Sequence, residues 1–502
     1  MKKRLGLLTA SVLFGAGPAL GQPAPAGEPA PPPGTGSGSA TTEAPPPAPP
    51  PGPTVTAPPP VLTPTLAPTA PTEDKPIEKK PTGGKVSSKV DISFYGFVEL
   101  DTIWDSTQGL NDLRGNAAIA RPNTYTGDHP QLTFGGRNSR IGMKLAMPTN
   151  TDDLKVSGTM EMDFLGNQPA GISEQAFWQN APFRFRHMNV KLETKVVDIL
   201  FGQTWQLFGW QGMNQPNTVE IQGIPGEVYS RSPQIRISKK IPAGDAASVE
   251  VAVAASRPVS RASATPDGQA GIKINIDKLK AWHTGGSTSS ALDSAMIGVS
   301  VVGRRLAVDE FSATPHSQVV RNGYGLSIDA LFPIIPATKE KHDGALTVQG
   351  SYTNGAGIAD LYQSLNGGTG NPALANPTMA NPAPAYTANI DNGIVLFHDD
   401  GGGTFSLHPI QWTTYLAGAQ YYLPGGKLWL SANYSHLSSN NAHLFGAAAK
   451  VFDSQDWFDG NVFIDLTSNA RLGFEVSRTQ QTYVDKVEAD DTRAQFSAFL
   501  LF

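Results

Sequence analysis

Cysteine is absent from the chain of 502 residues, which excludes a disulfide framework, thiolate metal ligands and a cysteine nucleophile. Charged residues are scarce, at 16% of the chain, and the net charge of -5 is far from the strongly basic character of nucleic-acid-binding proteins. We therefore expect no nucleic-acid partner. No run of about 20 apolar residues is present, so no transmembrane helix is predicted.

Motifs for a metal, a cofactor or covalent catalysis are also missing. The nine histidines are scattered, without HExxH or another paired spacing. The glycine-rich stretches GTGSGSA and GGTG do not lie between a strand and a helix, where a phosphate-binding loop is found. Ser435 and His436 are neighbours on a predicted strand, so their side chains should point to opposite faces. We predict no metal, no cofactor and no enzymatic activity.

The first 90 residues divide into an export signal and a proline-rich arm. Residues 1–21 combine a basic start, a short apolar run and a small-residue site, which predicts a cleaved signal peptide. Half of the 42 prolines of the chain lie between residues 22 and 83. Such a composition cannot bury a core, so residues 22–90 are predicted to be a disordered periplasmic linker. Contact of residues 22–83 with the cell wall is an alternative role for this arm.

From residue 91 onward, apolar and polar residues alternate with the period of a β-strand. The segment LKVSGTMEMDF places Val156 and Met160 on one face, with Thr159 and Glu161 on the other. The connections alternate between short ones, such as MPTNTDD and LPGGK, and long ones at 105–136 and 354–410. A water-soluble sandwich has no reason to sort its loops in this way, whereas outer-membrane barrels have short periplasmic turns and long external loops.

The count of candidate strands is about sixteen, an even number, which places both ends of the domain on the periplasmic side. These strands are predicted to begin near residues 93, 139, 154, 184, 199, 233, 248, 271, 295, 323, 345, 411, 428, 458, 470 and 492. The predicted fold is therefore all-β, a transmembrane antiparallel β-barrel of about 16 strands over residues 91–502 in the cell outer membrane. Two segments do not fit well. The connection 279–294 is long for a periplasmic turn, and FRFRHMNVKLE does not alternate cleanly through Arg184 and Arg186.

The last ten residues, RAQFSAFLLF, also alternate. Phe496, Leu500 and Phe502 share one face, and Arg493 and Gln495 share the other. A last strand that closes the barrel removes the open edge that a membrane cannot accommodate. The terminal aromatic resembles the signal by which outer-membrane proteins are recognised for assembly. Leu500 and Phe502 are the candidate residues of this signal, and the barrel-assembly machinery is an expected partner.

Several stretches are familiar: FRFRHMNVKLE with DILFGQTWQLF, then GRRLAVD, NGYGLSID, TNGAGIADLY and NVFIDLTSNARLGFEVSRTQQ. They resemble the DcaP-like porins, a family of trimeric outer-membrane channels, in blocks spread over residues 91–502. The resemblance implies a sixteen-stranded barrel, a homotrimer and passive uptake of small, often anionic solutes. Members often carry a helical, coiled-coil-like N-terminal segment, and this chain has the proline-rich arm in its place.

A porin selects solutes by pore width and by the charges that line its lumen. The connection 208–232, between the fifth and sixth predicted strands, is expected to fold into that lumen. Arginine offers carboxylates and phosphates a bidentate donor fork, so an arginine-lined constriction attracts anions. The same charges can instead pair across the wall, as Arg140 with Glu161 would. The candidate constriction residues are Arg137, Arg140, Lys144, Arg184, Arg186, Arg236, Glu220, Glu227 and Arg231.

The sequence thus predicts an outer-membrane porin, surrounded by outer-membrane lipid, through which small hydrophilic solutes diffuse passively. Its preference would be for anions such as dicarboxylates. The alternative from another class is a structural tether, in which the barrel anchors a proline-rich arm that binds the cell wall.

Overall fold

The structure, a computed structural model, describes most of the chain from residue 90 to residue 502. The predicted signal peptide (1–21) and, apart from Val90, the predicted proline-rich linker (22–90) lie outside the described residues. The remaining gaps are 109, 111, 114–118, 149–150, 170–171, 211–215, 222, 286–288, 312–314, 340, 364, 366–373, 376–384, 387–389, 391–392 and 447–450.

The described residues form a closed antiparallel β-barrel with sixteen strand positions, as predicted. The first strands are β1 (Asp91–Asp105), β2 (Gln131–Gly135), β3 (Arg140–Ala146), β4 (Leu154–Asp163), β5 (Arg184–Thr194), β6 (Asp198–Trp205), β7 (Arg231–Ala243), β8 (Ala247–Ser256), β9 (Asp267–Gly285), β10 (Ser289–Asp309), β11 (Gln318–Ile335) and β12 (Leu346–Ala356). The connection 357–410 carries four short strands, β13 (Leu374–Ala375), β14 (Ala385–Tyr386), β15 (Val395–Asp399) and β16 (Phe405–Pro409). The barrel is completed by β17 (Gln411–Tyr422), β18 (Leu428–Ser439), β19 (Phe452–Asp465), β20 (Ala470–Tyr483) and β21 (Glu488–Leu501).

Among the described residues, helical structure is limited to short segments in the connections. The α-helices are α1 (Tyr125–Asp128) and α2 (Glu174–Gln179), and 3-10 turns lie at Ala359–Leu361 and Ala442–Phe445. None of the helices described is long and apolar enough to cross a membrane.

The barrel is closed by pairing of β1 with β21. The two strands are in antiparallel register from Phe97 opposite Leu501 to Asp105 opposite Arg493. Gly96 and Phe502 extend this ladder through reciprocal backbone bonds of 2.9 and 3.0 Å. The wall therefore has no open edge at this seam, which is the condition for a sheet to persist in hydrocarbon.

One strand position is shared by two strands. β1 pairs with β3 through residues 91–97 and with β2 through residues 101–105, so β2 and β3 together occupy the second position. Residues 136–139 interrupt them. The prediction began this strand near residue 139 and missed β2, because the interruption separates β2 from the alternation that follows.

Register shifts explain both segments that did not fit the strand pattern. β9 continues to Gly285 and β10 begins at Ser289, so the predicted long connection 279–294 is wrong, and only residues 286–288 lie between the two strands. The register shift between Ser294 and Ala295 breaks the alternation of apolar and polar residues. The sequence pattern therefore did not reveal that both strands continue. A second shift, between Glu161 and Met162 on β4, gives β5 an extra residue, so consecutive residues of β5 are buried.

The two faces of the wall are the reverse of those in a water-soluble sheet. On β20, Phe474 and Val476 are 48% and 46% exposed, whereas Glu475 and Ser477 between them are 0% and 1% exposed. Apolar side chains thus face outward and polar side chains face the interior, which is the pattern of a membrane barrel. The outward faces of Phe496, Leu500 and Phe502 on and beyond β21 agree with the sequence prediction.

The longest connections all lie at one end of the barrel, as predicted, although that end also has the short connection 484–487 and the other end has the longer connection 336–345. One end of the barrel carries the turns 147–153, 195–197, 244–246, 286–288, 336–345, 423–427 and 466–469. The other end carries the connections 106–130, 164–183, 206–230, 257–266, 310–317, 357–410, 440–451 and 484–487. The connections 106–130, 206–230 and 357–410 are long enough to reach into the barrel.

A charged residue introduced on the outward face of β20 should destabilise the barrel, and more so the deeper it lies in the membrane. Val476→Arg, at mid-strand, is expected to lower the free energy of unfolding in lipid vesicles by about 2–4 kcal/mol. Gln480→Arg, on the same face near the rim, should cost about 0–1 kcal/mol, because an interfacial arginine reaches water. Equal losses in urea titrations of the two variants would contradict the assignment of this face to lipid.

Candidate functional site

The connection 206–230, which we call the inward loop, folds into the barrel from the long-loop end. Its first residues dock on the interior of β9 and β10. The backbone N–H of Phe208 donates to Oε1 of Gln269 over 3.0 Å, and that of Gly209 donates to Oγ of Ser300 over 2.8 Å. Trp210 then lies against the wall, with its Nε1 donating to the carbonyl oxygen of Val299.

Glycines in the wall make room for the indole of Trp210. A Cβ on Gly271 would come within 2.8 Å of Trp210, and a Cβ on Gly298 within 2.6 Å. Lys273 completes the contact, with its ammonium 4.8 Å from the centre of the Trp210 ring. The inward loop is therefore fixed at this end by both hydrogen bonds and close packing.

The tip of the inward loop reaches β18, β19 and β20 on another part of the wall. The carbonyl oxygen of Asn217 accepts bonds from Oγ of Ser431 at 2.6 Å and Nδ2 of Asn433 at 3.0 Å. The N–H of Val219 donates to Oε2 of Glu475 over 2.9 Å. Its first residues bond to β9 and β10, whereas its tip bonds to β18 and β20. The inward loop therefore crosses the lumen.

The tip also fills an apolar recess and buries a charge. Val219 and Ile221 belong to a buried cluster with Phe97, Tyr422, Trp429, Phe463 and Phe499 on the inner wall. Between them, the carboxylate of Glu220 accepts from Nη1 of Arg493 at 3.1 Å. Arg493 is itself fully buried and makes a second ion pair with Asp105. Glu220 is thus part of the attachment of the tip, away from the predicted arginines.

Three of the six predicted arginines, Arg140, Arg184 and Arg186, meet at the register shift between β4 and β5. The extra residue lets Arg186 and His187 both be buried, while the flanking Phe185 and Met188 are exposed. Nε of Arg186 lies 2.7 Å from Oε1 of Glu161, and Nη1 lies 3.1 Å from Oδ2 of Asp163.

The same guanidinium reaches the inward loop. Its Nη2 donates to the hydroxyl of Tyr229 over 3.3 Å. Arg186 therefore ties the returning end of the inward loop to the two carboxylates of β4.

Arg184 and Arg140 share these carboxylates. Nε and Nη2 of Arg184 donate to both oxygens of Asp163, at 3.0 and 2.7 Å, in a bidentate pair. Nε of Arg140 is 3.5 Å from Oε1 of Glu161, which is the pairing that the sequence suggested as an alternative to solute binding. The cluster formed by Arg140, Arg184, Arg186, Glu161 and Asp163 has an excess of positive charge, and we call it the arginine cluster.

Other predicted residues lie around this cluster in less direct contact. Nη1 of Arg137 is 3.3 Å from Oδ1 of Asp112 in the connection 106–130, and its guanidinium stacks on Phe177 at 4.0 Å. Burial raises the pKa of the Asp112 carboxyl, although the neighbouring Arg137 opposes this effect. Lys144 is exposed, 5.2 Å from the centre of the Tyr95 ring.

The last three predicted residues lie along β7 and the inward loop. Arg231 stacks on Trp205, with its guanidinium carbon 4.6 Å from the ring centre. Nε of Arg236 donates to Oε1 of Gln234 over 3.1 Å. The carboxylate of Glu227 accepts from the N–H of Ile224 inside the loop. The predicted basic residues thus lie on strands β3 to β7 or directly before β3, whereas Glu220 lies with Asp105 of β1 and Glu475 of β20 on the acidic side of the lumen.

A second segment of the constriction was missed in the sequence. The beginning of the connection 357–410 enters the barrel and pairs with the inward loop, and Val228 and Tyr362 lie opposite each other. Ile358 and Leu361 join a buried apolar core to which the connections 106–130, 206–230 and 440–451 also contribute. No periodic pattern marks such contacts between loops. The only signal available was an arginine, Arg304, on the inward face of a strand, because a buried arginine needs partners.

The described residues bear on two expectations, the absence of a metal site and the orientation of Ser435 and His436. They contain no group of three or more His, Cys, Asp or Glu side chains placed to hold a metal ion. Ser435 and His436 point to opposite faces, as predicted. Ser435 bonds the carbonyl oxygen of Pro225 inside the barrel, whereas His436 stacks on the exposed Tyr415.

The docking of Trp210 predicts different effects at two glycines of β10. Gly298→Ala forces the indole away from the wall, and such overpacking should lower the free energy of unfolding by about 1–3 kcal/mol. Gly303→Ala, five residues further along, meets nothing within 4 Å and should change stability little. Urea unfolding of the two variants would compare them, and equal stability would contradict the described position of Trp210.

Comparison with solved structures finds this fold in other outer-membrane proteins. The outer membrane channel DcaP of Acinetobacter baumannii aligns with a TM-score of 0.57 at 17% identity, over 82% of this chain and 97% of that chain. An anion-selective porin from Comamonas acidovorans aligns with a TM-score of 0.46 at 10% identity, over 82% of this chain and 100% of its own. No family profile and no curated protein matches the chain. The likeness to DcaP shows a shared fold, which confirms at that level the resemblance noted in the sequence.

Proposed function

We propose that the chain is an outer-membrane porin through which small hydrophilic solutes diffuse passively, with a preference for anions such as dicarboxylates. The observation that carries this proposal is the inward loop, which crosses a closed barrel and narrows it beside the arginine cluster. A narrowing lined by charge is the element by which a channel selects its solutes. The shared fold with DcaP supports the same assignment.

The preference for anions follows from two ion pairs of the arginine cluster in which the arginine side chain is the more exposed partner. The side chain of Arg184 is 32% exposed, and that of its partner Asp163 is 0% exposed. Arg140 is 15% exposed against 8% for Glu161. A solute beside this wall therefore meets the exposed parts of these arginine side chains and the exposed Lys144 on β3. The fork of a guanidinium fits a carboxylate in two parallel hydrogen bonds.

The acidic side of the lumen does not cancel this effect, because the tip of the inward loop covers it. Glu220, Glu475 and Asp105 are each at most 1% exposed, and Arg493 lies among them. Buried carboxylates with bonded partners do not contact a passing solute. Beside the arginine cluster the charge offered to water is thus positive, even though the whole chain has a net charge of -5.

Localisation and partners extend the same proposal. The apolar outer face supports a position in outer-membrane lipid, and the homotrimer is proposed from the sequence resemblance to the DcaP-like porins. Leu500 and Phe502 lie at the seam of the barrel, and their role as a signal for the barrel-assembly machinery stays a prediction that the folded yield of a Phe502 deletion would test. The tether would act through residues 22–83, which lie outside the described residues, and no observation favours it.

Planar-bilayer recordings test the porin and its selectivity together. The purified protein should give discrete conducting steps, and its zero-current potential in a KCl gradient should have the sign of chloride preference. Arg184→Ala and Lys144→Ala should each reduce that preference, since each removes an accessible positive charge.

Arg478→Ala is the matched control for these recordings. Arg478 also pairs with an aspartate, Asp490, but on the outer surface of the barrel, and its loss should leave the potential unchanged. Absence of steps from the parent protein would reject the porin. Conducting steps with the same ion preference in the parent and in all variants would reject only the role of the arginine cluster and would leave the porin proposal standing.

A further inference from the structure

The chain turns into the barrel directly after β12. Gly357 has a positive φ of +70°, a conformation that glycine adopts without strain, and its N–H donates to the carbonyl oxygen of Ile410 over 2.8 Å. One 3-10 turn, Ala359–Leu361, follows. Residues 357–363, which we call the strut, therefore leave the wall at a fixed point and in a fixed direction.

The strut is joined to the inward loop by backbone hydrogen bonds. The N–H of Tyr229 donates to the carbonyl oxygen of Leu361 over 2.8 Å, and the N–H of Gln363 donates to that of Glu227 over 2.9 Å. Val228 and Tyr362 lie between these two bonds as an antiparallel pair. The two connections thus form one piece of structure inside the barrel.

Arg304 on β10 attaches the strut to the wall. Its Nη2 is 2.7 Å from Oδ2 of Asp360, and its Nη1 donates to the carbonyl oxygen of Gly357 over 3.0 Å. Its Nε is 2.8 Å from Oδ2 of Asp267 on β9. The side chain of Arg304 is 2% exposed, so these contacts replace water around a buried charge and hold their geometry tightly.

Apolar packing completes the attachment. Ile358 and Phe208 lie against Gly325 on β11, where a Cβ would come within 3.3 and 2.8 Å of them. The strut and the root of the inward loop therefore share one niche in the wall. Displacement of either segment would expose the apolar surface of the other.

We propose that Arg304 is a positioning residue that holds the strut against the inward loop, so that both segments together fix the width of the channel. The statement about width rests on the proposed porin function. The beginning of the connection 357–410 is then a fixed wall of the constriction and not a lid that opens for each solute.

An engineered disulfide tests the position of the strut without any recording of current. Val228 and Tyr362 form a non-hydrogen-bonded pair, whose Cα atoms are typically about 4.5 Å apart, within the range that a disulfide spans. The parent chain has no cysteine, so Val228→Cys with Tyr362→Cys introduces the only two thiols. The folded double variant should cross-link readily under mild oxidation, and failure to cross-link would overturn the proposal.

Asp360→Asn in the same double variant tests the role of Arg304. The substitution keeps the shape of the side chain but removes the charge that Arg304 holds, and it should lower the rate of cross-linking. Arg304→Lys, which keeps the charge but loses the guanidinium fork, should act in the same direction. Asp490→Asn is the control, since it removes the partner of Arg478 far from the strut. Equal rates in Asp360→Asn and Asp490→Asn would overturn the positioning role.

Conductance measurements on the single variants and on the double cysteine variant then test the width. Asp360→Asn should raise the single-channel conductance above that of the parent and of Asp490→Asn. The oxidised double cysteine variant should conduct like the parent, whereas a drop that reduction reverses would show a moving lid and overturn the fixed-wall proposal. A parent without conducting steps would reject the porin and the width claim together, while the cross-linking rates would still decide the role of Arg304.

Discussion

The rest of the structure depends on the closure of the wall between β1 and β21. A sheet in hydrocarbon must satisfy every backbone donor and acceptor internally, and only a closed barrel does so. Closure also turns the alternation of each strand into an apolar outer surface and a polar interior, as Phe474 and Glu475 show on β20. The polar interior in turn supplies partners for a loop that enters it, and Glu475 itself accepts the N–H of Val219.

The inward loop makes different contacts at its tip and at its returning end. The proposed charge selectivity of the channel follows from this difference. Its tip covers the acidic side of the lumen, where Glu220 and Arg493 are buried together. Its returning end is held by Arg186, which engages the carboxylates of β4 from within. Arg184 and Arg140 share those carboxylates and keep part of their side chains in solvent. One loop therefore both narrows the lumen and decides which sign of charge faces the solute.

The strands with a regular alternation of apolar and polar residues could be predicted from the sequence. The positions where this alternation is interrupted could not. Strand starts at Leu154, Arg184, Gln411, Leu428 and Ala470 were predicted where the structure has them, because alternation reports directly on the two faces of a strand. The pairing of Arg140 with Glu161 was foreseen, since neighbouring strands bring inward charges together. The interruption at 136–139 and the register shifts at Glu161 and Ser294 were missed or misread, because an extra residue breaks the period. The strut and its contacts with Arg304 join segments that are distant in the sequence. Such contacts produce no periodic pattern of residues.

The central claim is that the inward loop sets the size of the conducting path. The most direct test is the single-channel conductance of a variant from which residues 217–221, the tip that docks on β18 to β20, have been removed. The tip contributes no strand to the wall, so the barrel of this variant should still close and insert. We expect a larger conductance than that of the parent, with a weaker preference for chloride as the acidic side is uncovered. An inserted variant with the conductance and ion preference of the parent would contradict the account.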